Sequence, residues 1–264
     1  IISDRFKNSG NGNYLRSNNL YKFLKKYLIC KFLLFNKSKN ISIDQHDLIL
    51  LDLPYKNYNL NYLRKYKGII VSLDHHLKFD VHLNISLFNK SNYAQKNLCS
   101  LKYAIIREDV KRDKNKLIKN SIFIGIGSSD IKNLRFKVYE KVKYIFDEIY
   151  ISKTFNHKNR FSRFENKNFI KNMKSCDLAI TNGGTTMLEL IYLNKMIIAL
   201  PQTELEKKFI KHVKKSYKIY SGIHWLKNNK IKKIIKQKQK KGLIDGNGCS
   251  NIMIEIKNLL KNAK

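Results

Sequence analysis

Short apolar runs alternate with helical patterns along most of this chain, and that rhythm leaves few folds open. Runs suited to buried strands lie at Ile1–Ser3, Ile29–Phe35, Leu48–Leu51, Gly68–Leu73, Val81–Ile85, Ser121–Ile126, Glu148–Ile151, Leu178–Thr181 and Met196–Leu200. Helical spacing appears between many of them, at Leu15–Tyr27, Leu60–Tyr66, Asn133–Tyr144, Asn168–Lys174, Thr186–Leu193 and Glu204–Lys215. Strands that are apolar on both faces belong in parallel sheets, and parallel neighbours need crossover connections, usually helices. The expected fold class is therefore α/β, with sheets covered on both sides. The polar, weakly periodic segment Lys111-Arg112-Asp113-Lys114-Asn115-Lys116 is the candidate boundary between two domains, 1–112 and 113–264. No internal repeat suggests a solenoid.

A length of 264 residues, 43% of them hydrophobic, is enough for one large domain or two small ones. With 15 Tyr, 14 Phe and only 2 Pro, the composition excludes a disordered chain. The four cysteines, Cys30, Cys99, Cys176 and Cys249, are scattered and form no C-x-x-C pair, which argues against zinc and redox motifs and fits a reducing cytoplasm. The longest apolar run, Tyr27–Phe35, has about nine residues and contains Lys31, against the roughly 20 a spanning helix needs. The opening Ile1-Ile2-Ser3-Asp4 turns polar at once and does not read as a signal peptide, and with no initiator Met a few residues are expected ahead of it. The expected location is cytoplasmic, with the inner membrane face as a peripheral alternative.

The net charge of +33, from 53 Lys+Arg against 20 Asp+Glu, raises nucleic acid and anionic membrane as partners. Lysine is spread along the chain, however, whereas a dedicated nucleic-acid binder concentrates its charge. The densest run, Lys227–Lys241, includes Lys230, Lys232, Lys233, Lys236, Lys238, Lys240 and Lys241. Leu226, Ile231, Ile234 and Ile235 fall near helical spacing within it, so it reads as an amphipathic helix with a solvated basic face. Contact of that face with an anionic membrane surface or RNA is the alternative.

Cys176-Asp177-Leu178-Ala179-Ile180-Thr181-Asn182-Gly183-Gly184-Thr185-Thr186-Met187-Leu188-Glu189-Leu190 reads as a buried strand, a glycine turn and the first turns of a helix. Glycines let the backbone approach a ligand, and a helix start offers unpaired N–H groups to an anion. Glu189, about one turn further on, is placed to accept hydrogen bonds from a ribose diol while Gly184, Thr185 and Thr186 face a diphosphate. A Gly-Gly turn that binds nothing has the same local sequence. Two further glycine turns follow expected strands, Gly10-Asn11-Gly12-Asn13 after Ile1–Ser3 and Gly125-Ile126-Gly127-Ser128-Ser129 after the run at Ser121. Neither matches G-x-G-x-x-G, so no dinucleotide cofactor is expected.

Several segments, in order, resemble the UDP-sugar hydrolase family of pseudaminic acid biosynthesis (UDP-2,4-diacetamido-2,4,6-trideoxy-beta-L-altropyranose hydrolase). They also resemble its relatives, the spore-coat polysaccharide proteins and the peptidoglycan N-acetylglucosaminyltransferase. Asp4, Gly10, Gly12 and Arg16 match a strand ending in Asp and leading to G-x-G-H-x-x-R. Asp52 with Tyr55, Ile70-Val71-Ser72-Leu73-Asp74 and Tyr103-Ala104-Ile105-Ile106-Arg107 follow family patterns. Gly127-Ser128-Ser129-Asp130-Ile131-Lys132-Asn133-Leu134 is similar to G-G-S-D-P-K-N-L, and Gly183 to Glu189 to G-G-S-T-x-x-E. The resemblance covers roughly residues 1–205. It implies two Rossmann-like domains facing a cleft, of glycosyltransferase-B type, with the sugar on the N-terminal and the nucleotide on the C-terminal side. It implies Gly10, Gly12, Arg16, Gly127, Ser128, Ser129, Gly183, Gly184, Thr185, Thr186 and Glu189 as residues binding a UDP-sugar. It also implies metal-free attack of water on an amino-deoxy sugar, releasing UDP.

One departure concerns the chemical step. The family carries His after the second glycine as general base, and this chain has Asn13. A neutral amide does not accept a proton near neutral pH. Three explanations remain: another base, binding without hydrolysis, or transfer of the sugar to an acceptor. Asp4, Asp52 and Asp74, each near an expected strand end, are the candidate substitutes, although a turn or helix-capping carboxylate is the commoner use of such a residue. His75 and His76 are adjacent and would point to opposite faces of a strand, and His76 and His82 have no recognised ligand spacing, so no metal site is expected. His157, His212 and His224 are single. Trp225, the one tryptophan, is expected to pack partly buried.

Overall fold

The computed structural model describes residues 1–4, 12–35, 45–53, 58–110, 117–127, 130, 132–151, 168–237, 239 and 242–262. Gly10, Tyr55, Ser128, Ser129, His157, Lys238, Lys240, Lys241 and the boundary segment 111–116 lie outside the described residues. The chain divides into two compact units, Ile1–Ile106 with Ile244–Lys264, and Arg107–Leu243.

In the first unit, strands β1 (Ile2–Ser3), β2 (Leu33–Leu34), β3 (Leu48–Asp52), β4 (Ile69–Leu73), β5 (Val81–Ser86) and β6 (Ala94–Cys99) form a sheet of order β2-β1-β3-β4-β5-β6. Every neighbouring pair in it is parallel. Helix α1 (Gly12–Leu24) follows β1. Alternate residues of the strands feed two cores. Leu50, Val71, Leu83 and Ile85 pack with Leu20 and Leu24 of α1, while Ile2, Ile49, Leu51 and Ile70 pack with Leu60, Leu63 and Leu77 on the other face.

In the second unit, β7 (Ser121–Gly125), α2 (Leu134–Val142), β8 (Glu148–Ile151), α3 (Phe169–Ser175), β9 (Leu178–Thr181), α4 (Thr185–Tyr192), β10 (Met196–Ala199), α5 (Glu204–Val213), β11 (Ile219–Ser221) and α6 (Asn228–Ile235) follow in order. The sheet order is β11-β10-β9-β7-β8, again all parallel. Ile122, Ile124, Leu178, Ile180 and Ile198 pack against Val138 and Val142 of α2 and Ile231 and Ile234 of α6. Phe123, Ala179, Ile197 and Ala199 are equally buried on the opposite face. Both units are thus Rossmann-like α/β folds, the class expected from the apolar runs.

The last helix, α7 (Gly248–Asn262), belongs to the first unit, whereas the expected bounds 1–112 and 113–264 left it with the second. Its Ile252 and Ile256 join the α1 core. Glu255 accepts from the Tyr103 hydroxyl at 2.9 Å, and Asn251 Nδ2 donates to the Lys102 carbonyl at 2.7 Å. Gly248 is required there, because a Cβ would lie 2.1 Å from the Ala104 carbonyl oxygen. Ile252, Ile254 and Ile256 alternate by two residues, a strand-like period that masks the helix in the sequence.

The strands β6 and β11 were not expected. The first is a polar edge strand carrying Lys96 and the second is a short edge strand, so neither shows an apolar run. The segment Leu60–Tyr66 is a short 3-10 turn at Asn61–Leu63 rather than a longer helix. In α6, Ile231 and Ile234 are buried while Lys232, Lys233 and the C-cap Lys236 stay exposed, as an amphipathic helix with a basic outer face requires. Trp225 is half-buried against Tyr220, ring centroids 4.6 Å apart, with Lys230 Nζ 5.0 Å from its ring. Among the described residues, no helix is long and apolar enough to cross a membrane.

Candidate functional site

Open parallel sheets bind ligands outside the carboxyl ends of their strands, where neighbouring connections leave in opposite directions. In the second unit β7 lies between β8 and β9, so that switch falls between β7 and β9. Gly125 and Thr181 are paired in register, and the Thr181 hydroxyl donates to the Gly125 carbonyl at 2.8 Å, so the two strands end level. The turns at Gly127 and Gly183–Gly184 leave from that level.

The side chain of Asn182 links these turns. Its Oδ1 accepts the Gly127 N–H at 3.2 Å, and its Nδ2 donates to Glu206. Glu206 is the third helical residue of α5 and closes a capping box with Thr203, also accepting the Gln202 N–H at 2.7 Å. Below the Gly127 turn, the buried Arg135 donates through Nε to the Ile126 carbonyl at 3.2 Å and through Nη2 to the Gly127 carbonyl. Asp130 accepts the Leu134 and Arg135 N–H groups at 2.7 and 3.0 Å and so caps α2.

The glycines divide by what a side chain would meet. At Gly183 a Cβ would lie 2.9 Å from Glu206 Cβ and 3.0 Å from its main chain, so this glycine serves the packing of α5. At Gly125 it would meet the Phe123 ring at 2.3 Å and Thr186 at 3.1 Å. At Gly127 and Gly184 the nearest atom is the Asn182 amide at 3.5 Å, ordinary contact, and neither residue has a left-handed φ. Packing does not explain glycine at those two places. Helix α4 begins at Thr185 with Gly184 as N-cap and no side-chain capping bond, in contrast with the full box on α5. Among the described residues, no side chain caps its first-turn N–H groups, which lie at the switch point.

Glu189 lies on α4 as expected, but it is buried and already engaged. Arg107 donates through Nε to Oε1 at 2.5 Å and through Nη2 to Oε2 at 2.8 Å. The guanidinium also lies over the Phe169 ring, 5.3 Å from its centroid. Burial pushes the Glu189 carboxyl above its usual range, and the Arg107 fork pulls back part of that rise.

In the first unit the switch falls between β1 and β3, since β1 lies between β2 and β3. Gly12 and Asn13 open α1 rather than lying in a loop, and Arg16 and Ser17 sit one turn later. Arg16, expected to bind substrate, instead joins two of the candidate bases. Its Nε donates to Asp52 Oδ2 at 3.1 Å, its Nη2 to Asp52 Oδ1, and its Nη1 to Asp74 Oδ2 at 2.5 Å. The Ser17 hydroxyl also donates to Asp52, which is completely buried. Asp74 further accepts the Ser86 hydroxyl at 2.8 Å and the Leu87 N–H at 3.3 Å. Burial opposes ionisation of Asp74, but Arg16 and these donors hold its carboxyl below the usual range. Such a group is a poor proton acceptor. Asp4 accepts the Tyr58 hydroxyl at 2.9 Å.

The His75 Nε2 lies 2.8 Å from the Phe79 carbonyl, and His82 Nδ1 accepts the Ile70 N–H at 3.0 Å, so both rings serve the backbone. Among the described residues, no three His, Cys, Asp or Glu side chains gather to hold a metal ion.

Sequence reading passed over Asn182, Arg135, Glu206 and the role of Arg107. The Thr203-x-x-Glu206 spacing is a capping signal legible without coordinates. Nothing local marks Asn182 or the role of Arg107, because their partners are distant in sequence, and Arg135 bonds backbone carbonyls eight and nine residues earlier, which leave no side-chain pattern.

No protein-family model matches this chain. It is similar to the uncharacterized protein MJ1062 of Methanocaldococcus jannaschii, 29% identical over 137 residues, which are 44% of this chain and 28% of that protein. The match therefore spans well under half of the relative. Among solved structures it is similar to the spinosyn forosaminyltransferase SpnP, with a TM-score of 0.46 and 10% identity over 91% of this chain and 74% of that one. A likeness of that size bears on neither substrate nor chemistry.

Proposed function

We propose that this chain is a nucleotide-sugar enzyme in which the second unit holds the diphosphate of a UDP-sugar. The observation that carries the reading is the uncapped start of α4 at the sheet's switch point, beside two glycines, Gly127 and Gly184, that the protein's own packing does not require. Preorganised N–H donors at a helix start stabilise the charge that develops on a diphosphate leaving group. The choice of uridine, and of an amino-deoxy sugar in surface-glycan or nonulosonic acid biosynthesis, rests on the sequence resemblance.

In the hydrolytic form of this reading, water attacks the anomeric carbon, the bond from that carbon to the diphosphate oxygen breaks, and UDP leaves. Asn13 is neutral and Asp52 and Asp74 are held by Arg16, so none of the three is suited to take the water's proton, which passes to solvent. The second reading is transfer of the sugar to a hydroxyl acceptor, whose proton needs an acceptor in the same way.

The test is calorimetric titration with UDP, CDP and GDP at low and moderate salt. UDP-selective binding that survives added salt is expected. Binding that is absent, or unselective and erased by salt, overturns the proposal and points to the basic surface, with RNA or anionic lipid as its ligand. Restoring the family's base gives a further expectation: Asn13→His raises hydrolysis of a bound UDP-amino sugar by about 10²–10⁴-fold, the usual range for general-base catalysis. No gain with a substrate that binds would mean that the site differs from the family's by more than that one residue.

A further inference from the structure

We propose that Arg107 is a positioning residue of the nucleotide site, fixing the Glu189 carboxylate in the orientation in which it accepts the ribose hydroxyls. The inference rests on the nucleotide-sugar reading above and deepens it. Each carboxylate oxygen has two lone pairs, and the Arg107 fork takes one from each. The pair left over can receive two hydroxyls of a vicinal diol. The guanidinium is itself held, by the fork on one side and the Phe169 ring on the other, so the carboxylate is braced by a group with little freedom.

Charge state is the second part of the device. Glu189 is 3% exposed, and burial favours its neutral form. Arg107 favours the ion, while Asp109, the other charged group that acts on it, opposes it weakly. Strands β9 and β10, on which α4 packs, carry no titratable side chain. Removing the guanidinium leaves burial and Asp109 unopposed, and both push the carboxyl up. The ionised carboxylate accepts both ribose hydroxyls strongly, whereas the neutral acid turns one oxygen into a donor and accepts more weakly. UDP affinity in such a variant should therefore be poor near neutral pH and rise as the pH rises. A residue that merely supports the fold does not produce that profile.

The experiment compares UDP with inorganic pyrophosphate, which has no ribose, on wild type, Arg107→Met, Arg107→Lys, Glu189→Gln and the Arg107→Met/Glu189→Gln double variant, from pH 6.5 to 9. Arg107→Met is expected to weaken UDP by roughly 10- to 100-fold at neutral pH, in line with loss of charge-assisted bonding, and to leave pyrophosphate unchanged. The loss should shrink with rising pH and should vanish in the Glu189→Gln background. Arg107→Lys, which keeps the charge without the fork, should lose a few-fold and retain the wild-type pH profile; it carries the test if the Met variant does not fold. Wild-type UDP affinity and pH profile in the Arg107 variants, or equal losses for UDP and pyrophosphate, would overturn the inference while leaving the nucleotide reading intact. Failure of wild type to bind either ligand would instead remove the nucleotide reading itself.

Discussion

Arg16→Met is expected to destabilise the first unit by about 3–5 kcal/mol, the usual cost of leaving buried carboxylates without their partner. Asp52 is fully buried and Asp74 largely so, and a single guanidinium binds both. The readout is hydrogen exchange of the β3 and β4 amides, because the single tryptophan, Trp225, lies in the other unit. Arg16→Lys should recover little, since an ammonium cannot reproduce the fork on Asp52 while reaching Asp74. Arg16→Met with Asp52→Asn should cost less than the two changes summed, because the second removes the charge that the first strands.

The same network sets a pH dependence. Asp74 is held below its unfolded value, so its contribution to stability is fully present above the ordinary Asp value near about 4 and is lost as the pH falls through the folded value. Wild type should therefore lose stability below about pH 4, and Arg16→Met should lack that part of the transition. If Arg16→Met exchanges its β3 and β4 amides as slowly as wild type, the three side chains are not the structural unit described, and Arg16 returns as a candidate for substrate contact.

Arg16, Asp52 and Asp74 show how far the sequence could be read. Their positions near strand ends were legible, because apolar runs mark the strands and parallel sheets put polar residues at the carboxyl ends. What those residues face was not. A carboxylate past a strand end has the same local sequence whether it meets a ligand or an arginine, and Arg16 is separated from Asp74 by fifty-eight positions. Glu189 makes the same point, being found by its spacing from the glycine turn while its partner Arg107 lies eighty-two residues earlier. The helix α7 failed for another reason. Its isoleucines alternate like a strand, and only packing on α1 and the close approach of Gly248 to Ala104 select the helix. Local pattern reports element type where its period is clean, and side-chain partnership only where the partners are neighbours.

The glycines of the second unit give the sharpest separation of fold from function. Among the described residues, and apart from its own chain neighbours, Gly127→Ala places a methyl no closer than 3.5 Å to any atom, and Gly184→Ala does the same at the N-cap of α4. The first should leave thermal stability unchanged, and the second should cost at most about 1 kcal/mol from the weaker N-cap preference of alanine. Both should weaken UDP by at least about tenfold, roughly 1.4 kcal/mol, because the added methyl stands where the backbone approaches the diphosphate. Gly183→Ala should behave oppositely. Its methyl meets the main chain and Cβ of Glu206 at 2.9–3.0 Å, so α5 must shift, at about 1–3 kcal/mol for an overpacked contact. Circular-dichroism melts beside UDP titrations of the three variants check this. Wild-type UDP affinity in both Gly127→Ala and Gly184→Ala would mean that the space beside Asn182 receives no ligand, and the diphosphate would have to be sought elsewhere. Loss of affinity at unchanged stability is the result that only a ligand occupying that space explains, since the fold itself makes no demand for glycine at either position.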